Sequence, residues 1–222
     1  MFEIEKASIN KNPFIGLYFK CNEKTVFHPK GIGKPTVSKF EKVLKAEPLE
    51  LSISGSSLIG LYTVINSAGC AIPNFASESE IKNIHDLNIV RIGGNFSAVS
   101  NNILVNDKGC IVNPKMSAED IKKISDCFDV EVTKMKIGGF NLVGAFNTAT
   151  NNGVLACNNS TEEELKKIES ILKVKAVRGT TNMGLTANSF GLVANSKGGL
   201  AGESTSGFEI NRIFEAIGDG NE

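Results

Sequence analysis

Cysteine and histidine are the residue types of this chain with the clearest capacity for chemistry. The sequence has five cysteines and two histidines, with neither a CxxC pair nor a Cys/His cluster of zinc-site spacing. His28 precedes a proline in a strand-like segment, and His85 falls in a predicted helix beside Ile81 and Ile84. Either histidine could activate a cysteine nucleophile, but packed side chains are the commoner use of both types. We therefore predict free thiols, no metal site and no catalytic residues.

Glycine pairs could also do chemistry, as loops that hold phosphate groups. IGGN begins at Ile92 and IGGF at Ile137. Neither has the GxGxxG spacing of a dinucleotide site, and no Lys-Ser or Lys-Thr follows as in a P-loop. Both pairs occupy the same place in an internal repeat, which favours structural turns. We expect no cofactor.

Charge and hydropathy restrict the classes of partner. Lys+Arg and Asp+Glu each number 24, so the formal net charge is zero. A protein that depends on gripping phosphates usually carries a basic excess, so we expect at most a small local contact with nucleic acid. The N-terminus has no apolar signal region, and no window approaches the length of a membrane span. These features predict a cytoplasmic protein with no membrane contact.

The stretch NDKGCIVNPKMSAEDIKKI (106–124) has near-copies along the whole chain. They are NEKTVFHPKGIGKPTVSKF (22–40), NSAGCAIPNFASESEIKNI (66–84), NNGVLACNNSTEEELKKI (151–168) and NSKGGLAGESTSGFEINRI (195–213). A turn marker recurs at intervals of 44, 40, 44 and 45 residues, at Thr25, Gly69, Gly109, Gly153 and Gly198. A second glycine marker recurs at intervals of 38, 45, 41 and 39 residues, at Gly55, Gly93, Gly138, Gly179 and Gly218. Two interleaved periods indicate five structural repeats.

Each repeat is predicted to have the order β-β-α-β. LIGLYTVIN (58–66) is rich in aromatic and β-branched residues and predicts a first strand, which a turn of Asn, Asp and Gly residues connects to a second. A helix follows, with apolar residues at spacings of three and four and with capping-box pairs. The pairs are Ser77 with Glu80, Ser117 with Asp120, Ser160 with Glu163 and Ser206 with Glu209.

The two ends of the chain predict how the repeats are arranged. After its helix the fifth repeat has no third strand, whereas an unmatched strand-like segment, FEIEKASI (2–9), precedes the first. A closed ring in which residues 2–9 supply the missing strand would remove the exposed sheet edges. We predict a single α/β domain over 1–222, with repeats at approximately 10–55, 56–94, 95–139, 140–180 and 181–222. An open solenoid is the alternative, but the polar capping repeats that it needs are absent from the sequence.

Very small residues lie nine positions before each turn marker, in the predicted first strands. They are Gly16, Gly60, Ser100, Gly144 and Ser189. In a ring these positions must gather around the pseudo-axis. Crowding near the axis is one explanation for their size. The other is a flat rim that lets the backbone of a partner approach closely.

Several segments resemble the translation initiation factor 6 family, in its archaeal form. They are SISGSSLIG, SAVSNNILVNDKG, GFNLVGAF, RGTTN and, most specifically, ANSKGGLAGESTSGFE. The resemblance covers essentially the whole chain. It implies the pentein fold, a five-fold pseudosymmetric α-β propeller. It also implies a monomeric, non-enzymatic protein that binds the large ribosomal subunit, blocks premature joining of the small subunit and takes part in large-subunit maturation.

The resemblance also implies where the partner binds. The family's contact is mainly with an L14-type ribosomal protein close to the sarcin-ricin loop. Asn101 matches a family asparagine that faces this partner, although Ser100 stands where the family has glycine. The predicted partner-binding residues are Gly16, Gly60, Ser100, Asn101, Gly144 and Ser189.

A rival class shares the pentein ring but consists of guanidine-modifying enzymes. These enzymes use a cysteine nucleophile late in the chain, a histidine and paired carboxylates around the central cavity. Here the last cysteine is Cys157, in the fourth repeat, and the fifth repeat has neither cysteine nor histidine. A histidine within hydrogen-bond reach of Cys157 inside the cavity would favour the enzyme.

Overall fold

The computed structural model describes residues 2–218, which form five three-stranded β-sheets. The strands are β1 (Glu3–Ala7), β2 (Lys20–Cys21), β3 (Thr25–Pro29), β4 (Glu47–Leu51), β5 (Val64–Ile65), β6 (Gly69–Pro73), β7 (Asn88–Ile92), β8 (Ile103–Val105), β9 (Cys110–Val112), β10 (Val132–Lys134), β11 (Thr148–Ala149), β12 (Gly153–Cys157), β13 (Lys175–Gly179), β14 (Leu192–Ala194) and β15 (Gly198–Gly202).

Helices of two lengths alternate with these strands. Four of them have eleven residues: α1 (Lys34–Leu44), α5 (Ala118–Phe128), α7 (Glu162–Leu172) and α9 (Gly207–Ile217). The single-turn helices are α2 (Ile59–Tyr62), α3 (Glu78–Ile81), α4 (Val99–Asn102), α6 (Val143–Phe146) and α8 (Asn188–Gly191), and 3₁₀ turns lie at Ile15–Leu17 and Gly94–Phe96. Within 2–218, no helix is long and apolar enough to cross a bilayer.

Each sheet has the same topology. A short inner strand forms an antiparallel hairpin with a central strand, and an outer strand runs parallel to the central one. The first residue of each hairpin turn fixes the turn with its own side chain: Asn66 Oδ1, for example, accepts hydrogen bonds from the amides of Ala68 (3.0 Å) and Gly69 (2.9 Å). This Asx geometry explains why polar residues recur before the turn markers.

The fifth sheet obtains its outer strand from the other end of the chain. β1 pairs parallel to β15, with Glu3 opposite Gly198 and Ala7 opposite Gly202. Phe2 is buried beside Ile213 and Ile217 in the core of the fifth unit. The division of the chain into one domain with the repeat boundaries given above stays a prediction.

Contacts between successive units close the five sheets into a ring. Each inner strand contacts the next around the axis, and β14 contacts β2. Four hairpin asparagines donate from Nδ2 to a backbone carbonyl of a neighbouring hairpin: Asn22 to Asn66 (2.8 Å), Asn66 to Asn106 (3.4 Å), Asn106 to Thr150 (3.1 Å) and Asn195 to Asn22 (3.0 Å). The predicted five-fold α-β propeller is confirmed.

The predicted first strands are wrong over much of their length. In LIGLYTVIN, residues 59–62 form the helix α2, and only Val64–Ile65 pair as a strand. The corresponding residues of the other units form the turn at Ile15–Leu17 and the helices α4, α6 and α8. The chain must reverse direction tightly where five units converge, and a helical turn does this in a few residues while pairing the amides of Leu61, Tyr62 and Thr63 with carbonyl oxygens of the same turn.

Two details of the outer helices also differ from the predictions. The capping residue of α7 is Thr161, whose Oγ1 accepts from the Glu164 amide at 3.1 Å, and not Ser160. His85 lies outside any helix, because α3 ends at Ile81. The second unit is shorter than the others, so its chain must turn early to reach β7. The boxes at Ser77 and Ser206 are confirmed.

Glu209, the capping-box residue of α9, also hydrogen-bonds to the loop at residues 180–184. Glu209 is 5% exposed, and its carboxylate accepts from the amides of Ser206 (2.7 Å), Met183 (3.1 Å) and Gly184 (2.8 Å) and from the hydroxyl of Thr180 (2.8 Å). Burial by itself would raise the pKa of Glu209, but these hydrogen bonds outweigh it and lower the pKa from 4.5 to about 2. The charged carboxylate therefore stabilises the fold.

We expect Glu209→Gln to lower the free energy of unfolding at neutral pH by roughly 2 kcal/mol, the scale of hydrogen bonds to a charged group. A carboxylate whose pKa is lower in the folded state stabilises the fold at pH values above its unfolded-state pKa. This stabilisation is lost as the pH falls towards the folded-state pKa. The difference between wild type and variant should therefore be complete above about pH 4.5 and vanish towards about pH 2. Urea unfolding across this range measures it. Glu163→Gln, at an exposed surface pair with Lys167, is the control; equal effects of the two variants would contradict this role.

Candidate functional site

The predicted partner-binding residues gather at one end of the ring. Gly16 lies in the 3₁₀ turn, Gly60 in α2, Ser100 and Asn101 in α4, Gly144 in α6 and Ser189 in α8. These five segments contact one another in sequence, and α8 contacts the 3₁₀ turn to complete the circle. The residues are therefore brought together as predicted, but on helical turns instead of strands.

Crowding between neighbouring units accounts for the glycines in this circle. A Cβ atom on Gly16 would lie 1.8 Å from the carbonyl oxygen of Ser189, and one on Gly60 would lie 2.1 Å from that of Gly16. On Gly144 it would lie 2.0 Å from the carbonyl oxygen of Ser100. All three glycines are buried. Their small size is needed for ring closure whether or not a partner binds here.

The polar members of the set differ in their surroundings. Ser189 is buried, and its Oγ donates to the carbonyl oxygen of Ala145 at 2.9 Å. Ser100 is also buried, and its Oγ accepts from Lys20 Nζ at 2.8 Å. Asn101 is half-buried, and its Oδ1 is shielded from solvent without a hydrogen-bond partner. A buried acceptor without a donor costs about 1–3 kcal/mol, so a bound water, an ion or a functional role is needed to explain it.

The outer surface of this end is uncharged. We call it the rim and define it as residues 14–18, 58–62, 98–102, 142–146 and 187–191. None of these residues is charged. Phe14 and Leu142 lie at equivalent positions, just before the helical turn, and are 38% and 41% exposed. An uncharged surface with exposed large apolar side chains is typical of the core of a protein–protein interface.

Phe14 and Leu142 were not among the residues predicted from the sequence. The signal was present, since each lies two positions before a small residue of the circle, at Gly16 and Gly144. Their outward direction becomes visible only once the helical turns are known. The five small residues face neighbouring units, whereas Phe14 and Leu142 face solvent.

The opposite end of the axis has a different chemistry. There the five hairpin turns converge, with Glu23, Asp107 and Lys197 among their polar side chains. Asn151 Nδ2 bridges Asp107 (2.6 Å) and Glu23 (3.1 Å), while Ser196 Oγ donates to Glu23 at 2.6 Å. These bonds link hairpins of different units. Glu23 and Asp107 therefore have structural partners at this end.

The geometry does not assemble the cysteine–histidine pair of the rival enzyme. Cys157 is fully buried at the end of β12, and burial raises the pKa of its thiol. Within 2–218, neither histidine hydrogen-bonds to a cysteine, and His28 Nδ1 lies 3.0 Å from the carbonyl oxygen of Pro29. In that same part of the chain, no group of three or more His, Cys, Asp and Glu side chains could hold a metal ion.

Comparison with known proteins identifies similar chains over nearly the full length. The eIF-6 family profile matches residues 4–216. A translation initiation factor 6 of Thermococcus onnurineus (strain NA1) is 31% identical, over 97% of this chain and 98% of that protein. Proteins of the same name from Saccharolobus islandicus (strain L.S.2.15 / Lassen #1) and Methanocorpusculum labreanum are 33% and 34% identical, over 97% and 95% of this chain. They cover 99% and 97% of those two proteins.

Proposed function

This chain belongs to the eIF-6 family, and from this premise we propose that it acts in translation initiation by binding the large ribosomal subunit. Bound there, it keeps the small subunit from joining prematurely and takes part in large-subunit maturation. The observation that carries the proposal is the family match over residues 4–216, together with relatives named translation initiation factor 6. We propose a monomeric, cytoplasmic and non-enzymatic factor.

We place the contact on the rim, with an L14-type ribosomal protein near the sarcin-ricin loop as the chief partner. Two features of the rim support a protein partner: it is uncharged, and it exposes Phe14 and Leu142. A surface that gripped RNA phosphates would need lysine or arginine. RNA contact is therefore limited in this proposal.

The contributions of the six predicted residues differ in kind. Five of them are buried and determine the packing of the segments that form the rim: Gly16, Gly60, Ser100, Gly144 and Ser189. Asn101 is the partly exposed member of the set, and Phe14 and Leu142 are exposed on other segments of the rim. Aromatic side chains such as Phe14 are enriched in the buried core of protein–protein interfaces.

Leu142→Glu should weaken binding to large subunits by roughly 2 kcal/mol, about thirty-fold, because a new charge at an apolar contact loses its hydration without compensation. Leu142 is 41% exposed, so the variant should keep its fold. Asn101→Glu should act in the same direction. Co-sedimentation with purified large subunits measures the affinity, and a subunit-joining assay measures the consequence.

The matched control is Lys166→Glu, an exposed change on α7 away from the rim. Thermal melting of every variant separates a lost contact from a folding defect. If folded Leu142→Glu co-sediments like wild type while Lys166→Glu does not, the contact lies on another face. If the wild-type protein neither co-sediments with large subunits nor slows subunit joining, the proposed function itself is wrong.

A further inference from the structure

One inner-strand position carries a single half-buried cation. Five residues before each turn marker, the five units have Lys20, Val64, Leu104, Thr148 and Val193. Four of these are uncharged, as expected around a crowded axis. Lys20 alone brings a charge there, and its Nζ reaches across the ring from the first unit to Ser100 Oγ in the third, at 2.8 Å.

No carboxylate of the described residues is paired with Lys20. Among residues 2–218, no Asp or Glu forms an ion pair with Lys20, and Ser100 Oγ accounts for one of its three donor protons. Burial lowers the pKa of Lys20 to about 8, so the ammonium is still mostly protonated at pH 7. Its neighbour Cys21 supplies no negative charge, since burial raises the pKa of that thiol to about 12. The positive charge therefore has no ion-pair partner among residues 2–218, and its partial burial makes that arrangement costly.

A small cavity adjoins this charge on the axis. Its volume is about 50 Å³, and inner-strand residues of all five units line it, Lys20 and Thr148 among them. Thr148 Oγ1 is shielded from solvent and has no hydrogen-bond partner. A water-sized sphere needs roughly 10–15 Å³, so the cavity holds a few such spheres but no phosphate ester or nucleotide.

We propose that the axial cavity binds one monovalent anion of halide size, held by the ammonium group of Lys20 and the hydroxyl group of Thr148. The ammonium supplies the charge and free donors, and the hydroxyl supplies a further donor. Val64, Ile103 and Leu192 form part of the remaining wall, and its polar residues Asn147 and Ser189 already hydrogen-bond to the Cys157 amide and to the Ala145 carbonyl oxygen. The anion neutralises a charge that the chain itself leaves unpaired.

Bromide is the probe, because its anomalous scattering identifies it in a crystal. Crystals of the wild-type chain soaked in bromide should show an anomalous peak in the axial cavity beside Lys20. Lys20→Met keeps an unbranched side chain without the charge and should lose this peak. Lys24→Met, which removes an exposed lysine from the same hairpin, should keep it. A cavity without bromide in the wild type, which would mean water only, overturns the proposal, as does a peak that persists in Lys20→Met.

Stability in solution gives a second readout that does not depend on crystals. A ligand that binds only the folded state raises the melting temperature as its concentration rises. Wild type and Lys24→Met should melt at higher temperature in sodium bromide than in sodium gluconate at equal ionic strength. Lys20→Met should show no such difference, even if it is itself more stable than wild type. Equal bromide dependence in all three proteins would contradict the anion site.

Discussion

Removal of residues 1–9 should abolish the cooperative unfolding transition of the entire described ring, not merely loosen one end. The deletion takes away β1, the outer strand of the fifth sheet. It leaves β15 with unpaired amides and carbonyls along one side. Each unit packs against both of its neighbours, so the loss of one junction destabilises the whole ring.

The packing around β1 explains why the effect should be this large. Phe2 belongs to the apolar cluster of the fifth unit, whereas Ala7 and Ile9 belong to the cluster of the first unit with Phe40 and Leu44. The segment thus joins two cores as well as completing a sheet. Domains of this size are stable by only about 5–15 kcal/mol, so the loss of a strand and three buried side chains is enough to unfold them.

A permuted chain provides the control for this deletion. In it the chain begins at residue 10 and carries residues 2–9 after residue 222, so that the strand follows α9 as outer strands follow the helices of the other units. Calorimetry should show no cooperative transition for the truncated chain and a restored one for the permuted chain. A truncated protein that melts like the intact one would contradict the role of β1 in closure.

The architecture was predictable because the repeat leaves two independent periods in the sequence. Gly69 and Gly198 begin central strands, and Gly109 immediately precedes one. A Cβ atom on Gly69 would lie 2.3 Å from the carbonyl oxygen of Cys127, and one on Gly198 would lie 2.2 Å from that of Val43. These glycines recur because each hairpin packs closely against the helix of a neighbouring unit. A steric requirement that recurs once per unit produces a regular spacing of glycines, which can be recognised in a single sequence.

The local errors have an equally physical origin. Residues such as Ile59, Leu61 and Tyr62 suit a strand by composition, yet the reversal of the chain at the axis requires a helical turn. The cap of α7 shifted by one residue because Ser160 and Thr161 are both good caps, each followed three residues later by a glutamate. Capping propensity alone does not distinguish Ser160 from Thr161 as the first residue of the cap. The Ser160 amide donates to the Cys157 carbonyl oxygen at 3.0 Å. Ser160 is therefore part of the turn before the helix, and Thr161 becomes the cap.

The sequence predicted where the small residues lie in the ring, but not which way they face. Counting back from the turns placed the small residues on one circle, which the structure contains. Whether they face a partner or one another depends on distances between units, such as that from Gly144 to the Ser100 carbonyl, which no local pattern records. For the same reason the exposure of Phe14 and the unpaired charge of Lys20 required the assembled ring.

Gly60→Ala should lower the free energy of unfolding by roughly 3 kcal/mol, at the upper end of the usual cost of overpacking. The new methyl group would lie 2.1 Å from the Gly16 carbonyl oxygen and 2.6 Å from that of Phe19. Both are backbone atoms in a closed circle, so neither can move without shifting the next unit. Helix propensity favours alanine over glycine by about 1 kcal/mol, so a loss of stability can only come from crowding.

The control for this variant is Gly207→Ala at the start of α9, where an added Cβ atom meets no other atom within 4 Å. It should leave stability unchanged or slightly raised, since alanine restricts the unfolded chain more than glycine does. Urea unfolding of the two variants against wild type measures the difference. If Gly60→Ala is as stable as Gly207→Ala, the circle is loose enough to admit a methyl group. Steric closure would then no longer explain the small residues, and contact with a partner would become the better explanation of their size.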